Sequence, residues 1–446
     1  LRAAAIFDGA GGEAMPSRRD VIGGTLGAAG SLPLVSGRAR AASASTRDRL
    51  AEDLRRHASF GDKWSGSPGD LATSAWIRQR LQRSGFAVER VEFEVPRFEA
   101  ATSRLTVGEK AIEVAPQPIV VATPPEGVQA QGVLVREPFE AAAAKGRIAF
   151  LVLPYDRHAA IFMGATPPLL EPAVAAGASA IVIVPTGPTG LIVGLNTRLK
   201  PMAPVPIAVM APRDLPMVAR AVAEGRPLTL TVTGRSGVRA SNNLIAHRRA
   251  GDAWLAFSTP RSGWYGCVGE RGTGTAAFLE LCDWAARRFP RHSIFAVNSG
   301  GHELDFVGMH KALPLGPPPG RTQVWTHLGA GLATRDLLTL GVRTIGLLPS
   351  ADPQRVLMTS EALFEPGRRL FAGLSGLERP IPTVGGAGEL SSIIDLGYSR
   401  AFAVLGVHRW CHTVDDTLDK VDADLLLPVV QAHKALVAAT VAATPL

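Results

Sequence analysis

NSGGHELDFVGMHKALPLGPPPGRTQVWTH, from Asn298 to His327, is the stretch whose reading decides the fold. It follows an apolar run, Ser293 to Val297 (SIFAV), that reads as a buried strand. The strand stops at Gly300-Gly301, where the chain turns and delivers His302 and Glu303. A second short strand, around Gln323 to Thr326, delivers His327. Two imidazoles and a carboxylate at strand ends point to metal or acid–base chemistry along one edge of a sheet, or to ordinary polar residues.

Outward from this stretch the pattern repeats. Trp254 to Phe257 (WLAF), Thr344 to Leu348 (TIGLL) and Ala401 to Leu405 (AFAVL) are further strands, and Thr273 to Ala286 is a helix with its apolar side against a sheet. Ala423 to Ala443 reads as a closing amphipathic helix. Short apolar strands alternating with helices define an α/β fold: a mostly parallel mixed sheet with helices on both faces. Such sheets bind ligands beyond the carboxyl ends of their strands, and Ser258, His302, Glu303, His327 and Cys411-His412 all fall just after predicted strands.

Toward the N-terminus, Thr46 to Gly85 reads as helices around a turn-rich loop, Phe60 to Asp70, and Phe86 to Val95 as an edge-like strand. Residues from about 115 to 235 have another texture. There Ile148 to Leu153, Ala180 to Val184 and Pro204 to Val209 read as strands, with helices over Leu169 to Ala176 and from Asp214. Ala240 to Ala246 returns to the main body. At the start, Ser17-Arg18-Arg19 precedes a weakly apolar Gly/Ala stretch and the small residues Ala39 to Ala41. That order is similar to a twin-arginine export signal, with Met15 as the start and residues 1–14 mis-called. The expectation is a mature chain from about Ala42, periplasmic or secreted.

The 446 residues are 46% hydrophobic, enough for two or three domains. The formal charge of +8 comes from scattered arginines without long basic runs, which excludes a nucleic-acid footprint. Three cysteines cannot build a disulfide framework, and no uncharged apolar run in the body reaches 18 residues. There is no G-x-S-x-G elbow around Ser258 or Ser262, so a serine-hydrolase reading is set aside. Cys267 or Cys411 as a nucleophile is set aside with it.

The helix–loop–helix–strand opening, the segments KGRIAFLVLP, AVAAGASAIVIV and VPIAVM, and the late CHTVDDTLDKV (Cys411 to Val421) together carry a resemblance. The chain resembles secreted zinc aminopeptidases of the transferrin-receptor and glutamate-carboxypeptidase superfamily over residues 46–440. The resemblance implies an export signal in 1–41, a zinc-exopeptidase-like domain in 42–114 and 236–446, and an inserted, β-rich protease-associated domain in 115–235. In that family two zinc ions are held by a His-x-Asp, a bridging Asp, a Glu-Glu pair, a lone Asp and a late His; the first Glu of the pair is the general base.

Carried over residue by residue, the match is partial. The His-x-Asp slot reads Ser258-Thr259-Pro260, the bridging slot Glu270, the Glu-Glu slot His302-Glu303, the lone-Asp slot His327, and the late slot His412. The resemblance thus implies Glu270, Glu303, His327 and His412 as metal ligands for one zinc rather than two, or for none. The glutaminyl cyclases of the same superfamily give a one-zinc precedent. With His302 where the base should stand, the catalytic proton carrier would be His302 itself, Glu389 or Asp416, the last also placed to orient His412. Each has a plain alternative: a structural histidine, or a Glu270–Arg271 ion pair. The other histidines (His57, His158, His247, His292, His310, His408, His433) read as surface or packing residues. Ser258, Trp264, Tyr265, Arg271, Trp325 and Trp410 would line an aromatic pocket. The implied function is an exported metallo-hydrolase of aminopeptidase type acting on a peptide or small amide. The alternative is an inactive homologue that binds such a ligand. No nucleic acid or integral membrane segment is expected as a partner.

Overall fold

The computed structural model describes residues 35–444 except 118, 341–342 and 384–387. The export-signal motif at Ser17–Ile22 lies outside the described residues. Helices α1 (Val35–Ala58) and α2 (Pro68–Arg83) open the fold, with Ser67 capping α2 by accepting from Asp70 N. Two very long strands follow: β1 (Ala87–Val107) and, much later, β7 (Pro227–Arg248). They pair antiparallel from Ala87↔His247 to Val107↔Leu228.

Between them lie β2 (Lys110–Pro116), β3 (Val128–Val135), β4 (Ile148–Leu153), β5 (Ala180–Pro185) and β6 (Ile207–Met210), with helices α3 (Pro167–Ala175) and α4 (Leu215–Ala223). The order β1-β2-β6-β5-β4-β3-β7, closed by β1–β7, is a ring of strands. Alternation explains it. Ile148 and Phe150 of β4 point into the ring with Val182, Met210 and Leu230, while Ala149 and Leu151 point outward against Leu169, Leu170 and Ala173 of α3. Both faces are apolar, so both are buried.

The far halves of β1 and β7 continue into the main sheet, β1-β7-β9-β8-β10-β15-β13-β14. Its centre, β8 (Trp254–Pro260), β9 (Ser293–Ser299), β10 (Thr322–Leu328) and β15 (Ala401–Gly406), is parallel. One face is covered by α2, α5 (Thr273–Arg288) and α9 (Ala423–Ala443), the other by α6 (Val307–Ala312) and α8 (Glu389–Asp395). Phe257, Phe278, Phe295 and Phe402 are fully buried between these layers, each contributing roughly 1.5–3 kcal/mol of hydrophobic stabilisation. Helix α9 is long and apolar enough to cross a membrane by length and composition, yet Leu426, Val429, Val430, Leu436 and Val437 pack into this core.

One expected strand forms outside the main sheet. TIGLL lies in β12 (Arg343–Ala351), which among the described residues pairs with β11 (Arg335–Leu340) in a separate hairpin. The sheet position goes instead to β13 (Arg355–Thr359), antiparallel to β15 and followed by α7 (Phe364–Leu370), with the two-residue β14 (Ile381–Pro382) at the edge. An apolar run alone cannot tell a sheet strand from a hairpin arm.

The turn after β9 is held tightly. Asn243 Nδ2 donates to Gly308 O at 2.7 Å and its Oδ1 accepts from Gly300 N at 3.1 Å. A Cβ added at Gly308 would overlap the Gly300 carbonyl oxygen. Gly308→Ala is expected to destabilise the fold by about 1–3 kcal/mol, read as a lower urea midpoint. An unchanged midpoint would show that the turn yields without cost.

Candidate active site

The site is built at the carboxyl ends of β8, β9, β10 and β15, as the sheet topology requires. After β8 the chain passes through Arg261 to Cys267 and enters a π-helical turn, Val268–Gly272, before α5. Tyr265 (φ 54°), Cys267 (φ 39°) and His412 (φ 60°) are non-glycine residues in the left-handed region, a local strain concentrated at this site. Asp416 pins the π turn by accepting from Gly269 N at 2.6 Å and Glu270 N at 3.0 Å. It therefore acts on the Glu270 backbone, not as the partner of His412 that the sequence suggested.

Glu270 and His412 meet: Glu270 Oε1 lies 2.9 Å from His412 Nε2 and 2.5 Å from Arg271 Nη2. Burial alone would raise the Glu270 carboxyl, but Arg271 and His412 hold it well below the usual carboxylate range. His412 Nδ1 is 2.7 Å from Gly194 O, so Nδ1 carries a proton and donates it. Gly194 N in turn donates to His412 O at 2.8 Å. A neutral His412 would then turn a lone pair toward the Glu270 carboxylate. A proton or a metal ion must stand between them. Glu270 Oε2 is buried without a hydrogen-bond partner, and Cys411, Glu270 and His412 bring ligand atoms within 4.8 Å of one another. Among the described residues this is the one group of three donors so placed, and Glu, Cys and His are a chemically sound set for one zinc ion.

The other expected ligands lie elsewhere. Glu303 accepts from Ser65 N at 2.5 Å and from Ser262 Oγ at 2.6 Å, and burial raises its carboxyl. It faces a smaller cavity of about 220 Å³ with Trp64, Phe98, Trp264 and Tyr265. His327 belongs to the main cleft, a cavity of about 770 Å³. There Trp325 Nε1 donates to Ser258 Oγ at 2.8 Å, and Ser258 Oγ lies 2.9 Å from His327 Nδ1. Among the described residues the Ser258 hydroxyl proton has no acceptor other than Nδ1, so it is donated there, which leaves the His327 N–H at Nε2. Burial lowers His327 to about 4, so it is a neutral donor.

His302 stands beside it in the cleft lining. Its Nδ1 lies 3.0 Å from Glu389 Oε1, and Glu389 also accepts from Ser299 Oγ at 3.2 Å. Nδ1 therefore donates, and Nε2 is left as an acceptor without a protein partner among the described residues. Burial and the Arg271 charge lower His302, while Glu389 pulls it up. Burial would raise Glu389, but His302, His327 and Arg271 hold it down. A carboxylate-oriented neutral imidazole is the arrangement of a general base.

The aromatic pocket divides. Trp264 and Tyr265 line the smaller cavity; Trp325 is core, packed on Tyr398 at 4.5 Å; Trp410 is buried beside Lys420 and lines neither cavity. The main cleft is instead walled by Phe162 and Met163 from the ring segment and by Met358 and Leu405 from the sheet. Nothing in the sequence marked these residues, because they meet only through the tertiary fold.

No family model matches the chain, and no curated protein does. Solved structures match over nearly its whole length. A peptidase M28 precursor from Shewanella amazonensis SB2B is 16% identical, with a TM-score of 0.70, covering 90% of this chain and 95% of its own. The fold is that of the zinc aminopeptidases. BSAP, a zinc aminopeptidase from Bacillus subtilis, is 16% identical (TM-score 0.66; 88% of this chain, 94% of its own). The aminopeptidase from Aneurinibacillus sp. strain AM-1 is 17% identical (TM-score 0.63; 88% and 93%). At these identities the likeness is one of fold. Within the aminopeptidase fold, what distinguishes this chain is its own set of side chains at the sheet edge.

Proposed function

We propose that the chain is a peptidase-type hydrolase that cleaves an amide bond of a peptide or small amide in the 770 Å³ cleft. The observation that carries the reading is His302: an imidazole oriented by Glu389, with Nε2 open to a cleft at the sheet's carboxyl edge of an aminopeptidase fold. His302 Nε2 takes a proton from the attacking water as its oxygen bonds to the amide carbon. It returns that proton to the leaving nitrogen as the C–N bond breaks. Glu389 stabilises the imidazolium formed in between. His327 Nε2–H donates to the carbonyl oxygen as charge builds there.

One zinc belongs to the proposal, with Glu270, Cys411 and His412 as the residues that would hold it. When bound, it would sit behind Arg271, outside the cleft lining, and would hold in place the Glu270–His412 wall that carries Arg271. The protease-associated character of residues 115–235 is supported by the closed strand ring and its apolar wall on the cleft. Export by the twin-arginine route rests on residues 17–41.

Metal analysis of protein purified without chelators is expected to return one equivalent of zinc. His412→Ala should lose it and lose most hydrolysis of aminoacyl or N-acyl amides. Substoichiometric metal together with full activity in His412→Ala would overturn the zinc assignment. A second reading, a homologue that binds without cutting, draws on Glu303 being tied to Ser65 and Ser262 and on the Arg271–Glu270 pair. It predicts ligand binding with no turnover of any amide.

A further inference from the structure

Among its described charged lining residues the main cleft has more guanidinium groups than carboxylates, and His302 Nε2 is a neutral acceptor. Arg271 is fully buried by its neighbours yet lines the cleft. Its Nε donates to Ser262 O at 2.9 Å and its Nη2 faces Glu270, leaving Nη1 without a hydrogen-bond partner among the described residues. Arg355 lines the same cleft; its Nε and Nη1 donate to the carbonyls of Ser375 and Leu332, and no carboxylate lies within ion-pair distance among the described residues. His327 adds the N–H at Nε2. Glu389 is the one carboxylate among the described lining residues, and its oxygens are already taken by His302 and Ser299. Glu270 lies behind Arg271 and is not part of the lining.

A free amino terminus needs acceptors: a carboxylate or several carbonyls aimed at an ammonium. This cleft points guanidinium and imidazole N–H groups inward instead. We propose that the cleft recognises a ligand carrying a carboxylate on an apolar body, with Arg271 Nη1 as the principal contact and Arg355 in support, rather than one presenting a free ammonium. Phe162, Met163, Met358 and Leu405 supply the apolar walls for that body. The inference rests on the cleft being the ligand site, as proposed above, and is independent of zinc and of turnover.

The test uses three small molecules of one shape and no hydrolysable bond, titrated calorimetrically into the full chain: 4-methylpentanoate, 4-methylpentan-1-ol and 3-methylbutylammonium. The carboxylate is expected to bind about tenfold or more tightly than the alcohol, with the ammonium weakest. Arg271→Gln should abolish the preference and Arg271→Lys retain part of it. If Arg271→Gln does not fold, the ranking on the unaltered protein decides alone. A ranking led by the ammonium, equal affinities for acid and alcohol, or no binding of the acid would each overturn the inference. Acid bound without cleavage of any amide leaves this recognition standing and removes the hydrolase reading. Amides cut while the ammonium leads the series does the reverse.

Discussion

His302→Ala is expected to lower kcat/KM for amide hydrolysis about 10²- to 10⁴-fold, the range general-base catalysis contributes. The fold should survive, because His302 is partly open to the cleft and its one side-chain hydrogen bond is to Glu389. The pH profile adds a sharper readout. The base works as the neutral imidazole, and burial with Arg271 lowers its pKa below the ordinary 6.5. Activity should therefore hold steady to lower pH than an exposed histidine allows, and fall as pH drops through that depressed value. Glu389 raises His302, so Glu389→Gln should shift the acid limb further down while reducing kcat. An acid limb above pH 6.5, or full activity in His302→Ala, would remove His302 from the mechanism.

The second large effect is on stability. Arg261 and Asp70 form an ion pair at 2.6 Å with both side chains wholly buried. Arg261 also donates to Asn298 Oδ1 at 2.8 Å and Asn242 O at 2.7 Å, tying the turn after β8 to α2, β9 and β7. Asp70 accepts as well from Gly66 N at 2.8 Å. Arg261→Met leaves a buried carboxylate without its counter-charge and should cost about 3–5 kcal/mol, and Asp70→Leu about as much. The double variant should recover a large part of the loss, since the charge that was stranded is gone. Urea denaturation of the three variants measures this; a single-variant loss below about 1 kcal/mol would mean that water reaches the pair.

The sheet centre was legible because β8, β9, β10 and β15 are short, mostly apolar runs, the mark of strands buried on both faces. So was the edge where Ser258, His302 and His327 gather, since each lies in the last residues of such a run or just beyond it. The assembly of the site was not. Glu303 and His302 are neighbours in sequence, yet the turn at Gly301 sends one carboxylate to Ser65 and Ser262 and the imidazole to Glu389. Side chains of consecutive residues leave a turn in different directions, and motif spacing does not say which. Asp416 misled in the same way: its position beside His412 suggested a side-chain partner, but its oxygens are used on backbone N–H groups of the π turn. Trp325, read as a pocket aromatic, is core because strand alternation turns it to the α8 side of β10 while its indole N–H reaches Ser258.

The pairing of β1 with β7 bears on how the chain reaches its native state. Ala87 lies against His247 and Val107 against Leu228, with the whole of β2 to β6 between them in sequence. These two strands are also the backbone common to the ring and the sheet, so neither part is complete until both have formed. Loop closure over such a span is entropically slow, and contacts this distant in sequence retard folding far more than they reduce final stability. A chain synthesised only as far as β6 carries β1 as an unpaired edge over most of its length, an invitation to intermolecular strand addition. Refolding should accordingly be slow and sensitive to protein concentration, and truncation anywhere before Arg248 should yield aggregate rather than a smaller folded domain.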